Sequence, residues 1–308
     1  MVIEIENVQK QRYRFIDVLK VIAAILITNS HYGNVWPYAF MAFGGLLGDV
    51  LYFAISGFCL ADIKESFLRW YAKRVLRIYP VLWIVNIIGV CVGFFKISSV
   101  KSFVKLFVYP SYFHFISAIM LLYVIYFFVV KYILPKVGFK IIMLVLASIY
   151  VAIYLFVYDK SYYHIDIVEE GMVKFLFFAS MLLGVYFRKY VNNGKSSILN
   201  YVQIISLLFL YLMSKIAFSK VNMISDFQIL NVIILYILLW NIFKAARVNE
   251  NTISNIRKMP DRMIRFLGAM TLEIYLTQYI IYYAWGNKTE FPINFFAITS
   301  GIILLSSV

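Results

Sequence analysis

Charge is what this sequence has least of. Only 14% of its 308 residues are Asp, Glu, Lys or Arg, against about a quarter in a soluble globular domain. Hydrophobic residues make up 63% and the mean hydropathy is +0.83. A single water-soluble core has no room for that much apolar surface, so lipid is the expected solvent for most of the chain. Cysteine is scarce as well: Cys59 and Cys91 lie in apolar runs, and form neither a metal-site spacing nor a disulfide framework. No secretory signal is expected, since the first 14 residues are polar and of mixed charge, and the first apolar span is expected to be retained. No internal repeat, low-complexity tract or soluble domain is visible. The net charge of +14 requires no nucleic acid to explain it, because basic residues accumulate in the cytoplasmic loops of membrane proteins.

What is present is a succession of apolar stretches, each long enough to cross a bilayer as a helix. Ten are expected, at about residues 15–32, 39–62, 78–95, 112–134, 139–158, 172–187, 198–219, 224–243, 263–286 and 292–308. The fold class is therefore all-α and polytopic, a cytoplasmic segment 1–14 followed by one transmembrane domain over 15–308. The chain stops at Ser306, Ser307 and Val308 with no polar tail, and the tenth span is expected to be incomplete. With the N-terminus inside, the cytoplasmic segments hold 20 Lys and Arg and the opposite loops 7, with Lys20 and Lys174 inside spans. That bias predicts N-in threading. The acidic loop with Asp159, Asp166, Glu169 and Glu170 then falls outside, and residues 96–111, with three Lys, are expected to form an interfacial helix.

Ionisable groups inside such spans are costly and need a partner or a task. Asp17 and Lys20, three residues apart, can neutralise each other. From Lys20 to His31 is eleven steps, about 1100° and roughly 16 Å of helix, so the two share one face, with Ala24 and Thr28 near the stripe between them. In the second span Asp49 begins GDVLYFAISGFCL, where Ser56 and Gly57 form a small-residue face for close helix approach. Ser56 lacks the setting of a hydrolase nucleophile. The block RWYAKRVLRIYP follows. It fits a positive-inside loop, and Arg74 and Arg77, one helical turn apart, also make a fork suited to phosphate or pyrophosphate. Glu273, within LGAMTLEIYLTQ, either pairs with a helix neighbour or lines a cavity. His114 and the many Tyr and Phe residues read as belt and packing residues.

In order, these pieces resemble the acyltransferase 3 family of integral membrane acyltransferases. RFIDVLKVIAAILITNSH is similar to its first-helix signature of an Asp, a basic residue and a His, with ten residues between the last two. GDVLYFAISGF is similar to its G-V-x-x-F-F-x-x-S-G-F pattern, and KRVLRIYP to its R-x-x-R motif before an aromatic and a Pro. FASMLLGVYFRK and LGAMTLEIYLTQ resemble weaker downstream patterns. Two departures stand out: Lys20 replaces the usual Arg, and Gln278 stands where the ninth-span pattern often ends in His. The resemblance implies an O-acyltransferase of the inner, cytoplasmic membrane, moving an acetyl group from acetyl-CoA to a hydroxyl of a cell-surface or lipid-linked glycan. It implies His31, Lys20 and Asp17 as catalytic residues and Arg74, Arg77, Arg14, Ser56 and Glu273 as substrate-binding ones. No bound cofactor or metal is expected, acetyl-CoA being a substrate; the expected partners are acyl-CoA, a glycan or glycolipid acceptor and membrane lipid, not nucleic acid. The alternative is a transporter or flippase for a lipid-linked sugar or anionic metabolite, which would also carry Asp17, Lys20 and Glu273 inside its spans.

Overall fold

The computed structural model describes residues 13–191, 197–255, 258–285 and 289–307, and among these every regular element is helical. Lipid dictates as much, since a helix satisfies its backbone polar groups within one segment. Most of the expected N-terminal segment, with Lys10 and Arg12, lies outside the described residues, as do Lys195, Lys288 and Val308. In chain order α1 (Arg14–Ser30), α2 (Gly45–Cys59) and α3 (Phe67–Cys91) are followed by a single turn, α4 (Val100–Phe103). Helix α5 (His114–Phe128) continues through a π-helical turn at Val129–Ile133 into α6 (Leu134–Val137). Then come α7 (Phe139–Phe156), α8 (Gly171–Lys189), α9 (Ile198–Lys220) and α10 (Ile229–Val248). The short α11 (Glu250–Ser254) and α12 (Lys258–Ala269) lead to α13 (Thr271–Trp285) and α14 (Ile293–Ser306).

Among the described residues, seven helical stretches are long and apolar enough to cross a membrane: Ala39–Cys59, Phe67–Cys91, His114–Val137 and those of α7 to α10. The first, ninth and tenth expected spans form α1, α13 and α14, of 17, 15 and 14 residues, shorter than the ~20 of a typical crossing. Two elements differ in extent from the sequence reading. The basic block after Arg69 is the first half of α3 and not a loop, because Leu, Arg, Lys and Ala favour helix and nothing breaks it before Pro80, which α3 absorbs. The ninth span is divided at Met270 into α12 and α13. Helix α12 carries Lys258, Asp261, Arg262 and Arg265, a composition for an interface and not for a bilayer centre.

Packing is tightest where α2 meets α8. A Cβ on Gly57 would lie 1.9 Å from the carbonyl oxygen of Met181, and one on Gly184 1.9 Å from that of Ala54. The two backbones therefore touch, as small residues in membrane helices permit. Helix α1 packs against α2 on one side and against α12 and α13 on the other. Its start is held by Glu250, whose two carboxylate oxygens accept from the backbone N–H of Arg14 and Phe15, each at 2.8 Å. A carboxylate there satisfies helix-end donors and complements the helix dipole.

Ion pairs and one lysine-to-carbonyl hydrogen bond between distant segments join stretches that the charge count assigns to one side. At the Arg14 end, Arg14 pairs with Asp261, Arg188 with Asp62 at 3.4 Å, and Lys131 donates to the carbonyl of Glu65 at 2.5 Å. At the His31 end, His114 meets Glu169 at 3.2 Å and Lys215 meets Asp166 at 2.5 Å.

Candidate functional site

Helices α1, α2, α3, α5 and α13 enclose a cavity of about 850 Å³ towards the Arg14 end. Lys20, Ser56, Arg74, Arg77 and Glu273 all line it, so five of the eight residues expected to contact substrate or take part in catalysis converge there from four helices. Arg74 stacks on Trp70, with its guanidinium carbon 4.8 Å from the ring centroid. Its Nε, like Glu273 Oε2, is buried with no hydrogen-bond partner among the described residues. A buried donor without a partner is costly to maintain, and three cations around one carboxylate leave the chamber positive. Ser56 and Gly57, adjacent in sequence, divide the two roles of their helix. Gly57 makes the seam with α8, while Ser56 faces the cavity and hydrogen-bonds the Tyr123 hydroxyl at 3.0 Å.

Asp17 stands behind Lys20. Its carboxylate is 3.9 Å from Lys20 Nζ, one helical turn away, and it is buried with a relative exposure of 6%. Helix α12 also passes close by: a Cβ on Gly268 would sit 3.2 Å from the Asp17 carbonyl oxygen. Arg14 does not line the cavity; its guanidinium is engaged by Asp261, which also pairs with Arg265 at 2.5 Å.

His31 lines a different cavity. It is the residue that ends α1, and it faces a space of about 1020 Å³ at the opposite end of the bundle. Asp49, buried at the start of α2, shares that wall, together with the His114–Glu169 and Lys215–Asp166 pairs and Tyr275 and Tyr279. His31 Nε2 lies 3.4 Å from the Tyr279 hydroxyl, and the two rings meet edge-on with centroids 5.0 Å apart.

Between the two cavities is a smaller space of about 320 Å³. It shares Tyr52, Phe115, Thr271 and Leu272 with the Arg74 cavity and Ile27, Phe115 and Tyr275 with the His31 cavity. Ala24 and Thr28, the residues on the stripe from Lys20 to His31, wall this neck. The helical arithmetic therefore describes a line of lining residues: Lys20 in the Arg74 cavity, Ala24 and Thr28 in the neck, and His31 in the other cavity. No ionisable acid or base of the Asp, Glu, Lys, Arg or His type lines the neck. Its polar groups are hydroxyls only.

Sequence reasoning missed most of the second cavity. His114 reads as a belt residue, yet it pairs with Glu169 in the wall facing His31. Asp166, Glu169 and Lys215 serve in the sequence only as topology signals, Tyr279 falls among the belt and packing aromatics, and Asp49 only opens the second-span run. The available signal was the concentration of acids and bases in loops that one threading places on the same side as His31. Gln278, at the position of the missing second imidazole, is buried with neither side-chain polar atom partnered among the described residues. No group of three or more His, Cys, Asp or Glu able to hold a metal occurs among the described residues.

Comparison with known proteins identifies the family. A family profile described as the acyltransferase domain matches residues 13–308. The chain thus belongs to the acyltransferase 3 family, as its motifs suggest, and is a multi-pass membrane protein of the acyl-transferring kind. No match was found among curated proteins or among solved structures.

Proposed function

We propose, with membership of the acyltransferase 3 family as the premise, that this protein moves an acetyl group from cytoplasmic acetyl-CoA to a hydroxyl of a cell-surface or lipid-linked glycan. The observation that carries the reading is the uncharged neck joining a cationic cavity to the cavity of His31. Arg74 and Arg77 bind the phosphates of CoA, for which paired guanidinium groups are suited. Phosphates stay in that cavity because a neck with no cation offers them nothing in exchange for their hydration. The neutral pantetheine arm and its thioester enter the neck instead and reach His31.

There the acceptor hydroxyl attacks the thioester carbonyl carbon while His31 takes its proton. As the tetrahedral intermediate collapses the carbon–sulfur bond breaks, and the CoA thiolate leaves, recovering a proton from the imidazolium. His31 Nε2 lies 3.4 Å from the Tyr279 hydroxyl, which lies 3.4 Å from that of Tyr275, so the two tyrosines flank the imidazole. Lys20, poised at the mouth of the neck and oriented by Asp17, steadies the donor.

Orientation follows the charge count, with the N-terminus and the Arg74 cavity cytoplasmic, ten crossings in all, and the protein in the inner membrane. A carrier for anions or lipid-linked phosphates would need its charged cargo to traverse the same neck, and no cation lines it. Membranes containing the protein should transfer label from acetyl-CoA to endogenous glycan, and His31→Ala should stop the transfer. Labelled glycan at the wild-type level in His31→Ala membranes would remove His31 from the reaction.

A further inference from the structure

The neck is not an open tube. Tyr52 on α2 and Thr271 at the start of α13 face each other across it, and their hydroxyl oxygens are 2.5 Å apart. The Phe115 ring lines all three cavities and holds Tyr52 edge-on, with centroids 5.5 Å apart. It also packs against Tyr275, with centroids 5.2 Å apart. Thr28 also lines the neck, and its Oγ1 is buried and unpartnered among the described residues, while Tyr275 lines both the neck and the His31 cavity. A hydroxyl clasp, an aromatic wall and an unused hydroxyl thus line one small space.

We propose that the Tyr52–Thr271 clasp is the specificity-determining element for the acyl group. The clasp must part for a thioester to pass, and each added methylene of the acyl chain must then be accommodated between Tyr52, Thr271 and the Phe115 ring. The Thr28 hydroxyl, which has no partner while the neck is closed, donates to the thioester carbonyl once the clasp is open. This inference rests on the acyl-transfer reading, and it names Tyr52, Thr271 and Phe115 as residues that choose among donors without touching the acceptor. A hydrophobic fit of this kind is worth about 10- to 200-fold per methylene, so the wild-type protein should use butyryl-CoA at least about tenfold more slowly than acetyl-CoA.

The test supplies acetyl-CoA or butyryl-CoA to membranes containing the full-length protein and measures release of free CoA thiol, with protein-free membranes subtracted. Tyr52→Ala removes the clasp and part of the wall. Its butyryl-to-acetyl rate ratio should rise by about tenfold or more, whatever happens to the absolute rates. Thr271→Ala removes the clasp from the opposite helix with a smaller loss of packing, and its ratio should rise in the same direction by a smaller factor. It also keeps the test decisive if Tyr52→Ala fails to insert. A role in packing alone would lower both rates together and leave the ratio unchanged, and an unchanged ratio in either variant that still releases CoA overturns the inference. If the wild-type protein releases no CoA from either thioester, the acyl-transfer reading itself fails and takes this inference with it, an outcome plainly different from activity with an unaltered ratio.

Discussion

The two cavities share one bundle and differ in what their charges do. Around Arg74, the cations Arg74, Arg77 and Lys20 and the carboxylate Glu273 all face open space, and Arg74 Nε and Glu273 Oε2 have no partner among the described residues. Around His31, two of the cationic side chains are matched: Lys215 by Asp166 and, when protonated, His114 by Glu169. On the proposed reading the first chamber receives a polyanion, and the second receives something neutral and polar with a base at its edge. The buried, unpartnered Arg74 Nε and Glu273 Oε2 are the groups whose pairing a ligand would complete.

If this contrast is right, its largest consequence falls on His31. His31→Ala should leave the protein inserted and folded, because a half-buried residue at a helix end contributes little packing, yet transfer should fall by about 10²- to 10⁴-fold, the contribution of a positioned base. Glycan acetylation in cells, read against protein level in the membrane, checks this.

The Asp17–Lys20 pair comes next. Lys20→Met removes the cation 3.9 Å from buried Asp17 and should lower stability as well as activity. Asp17→Asn combined with Lys20→Met removes both charges and should restore the thermal stability seen in detergent while leaving transfer abolished. Recovered transfer in the double variant would mean that Lys20 serves only its neighbour.

Losing the fork should have a smaller effect. Arg74→Ala with Arg77→Ala should weaken acetyl-CoA binding by about 10- to 100-fold, the worth of hydrogen bonds to a charged group. Orientation in the membrane should persist, since the other basic residues on that side remain. The smallest effect is expected from Ser56→Ala, which removes one hydrogen bond to Tyr123 and should lower stability by only about 1 kcal/mol, with donor affinity changed by a few-fold at most in the same binding assay.

The legible part of this molecule was local. The first three motifs lie on α1, α2 and α3, and helical arithmetic alone placed Lys20, Ala24, Thr28 and His31 in a line that the structure sets along the lining of the three cavities. Local periodicity has no access to contacts between residues far apart in the chain. Lys215 and Asp166 lie on opposite sides of α8 in sequence and meet in space, and Glu169 reaches His114 from a different loop. The extent of elements followed the same division. Apolar runs located the helices, but the break at Met270 and the continuation of α3 back to Phe67 depend on which residues sit at the membrane boundary, a property of the assembled bundle. Ser56 and Gly57 show the finest limit: composition groups them as one small-residue face, whereas the helix turns one towards a cavity and the other into a backbone seam.

The most direct test of the central claim, that donor binding and base catalysis occupy separate chambers joined by a neutral neck, is equilibrium binding of labelled acetyl-CoA to purified protein. Three forms should be compared: wild type, His31→Ala, and Arg74→Ala with Arg77→Ala. The account predicts that His31→Ala binds the donor as the wild type does while transferring nothing, and that the double arginine variant binds at least about tenfold more weakly. Equal affinity in all three forms, or loss of binding in His31→Ala alone, would contradict it.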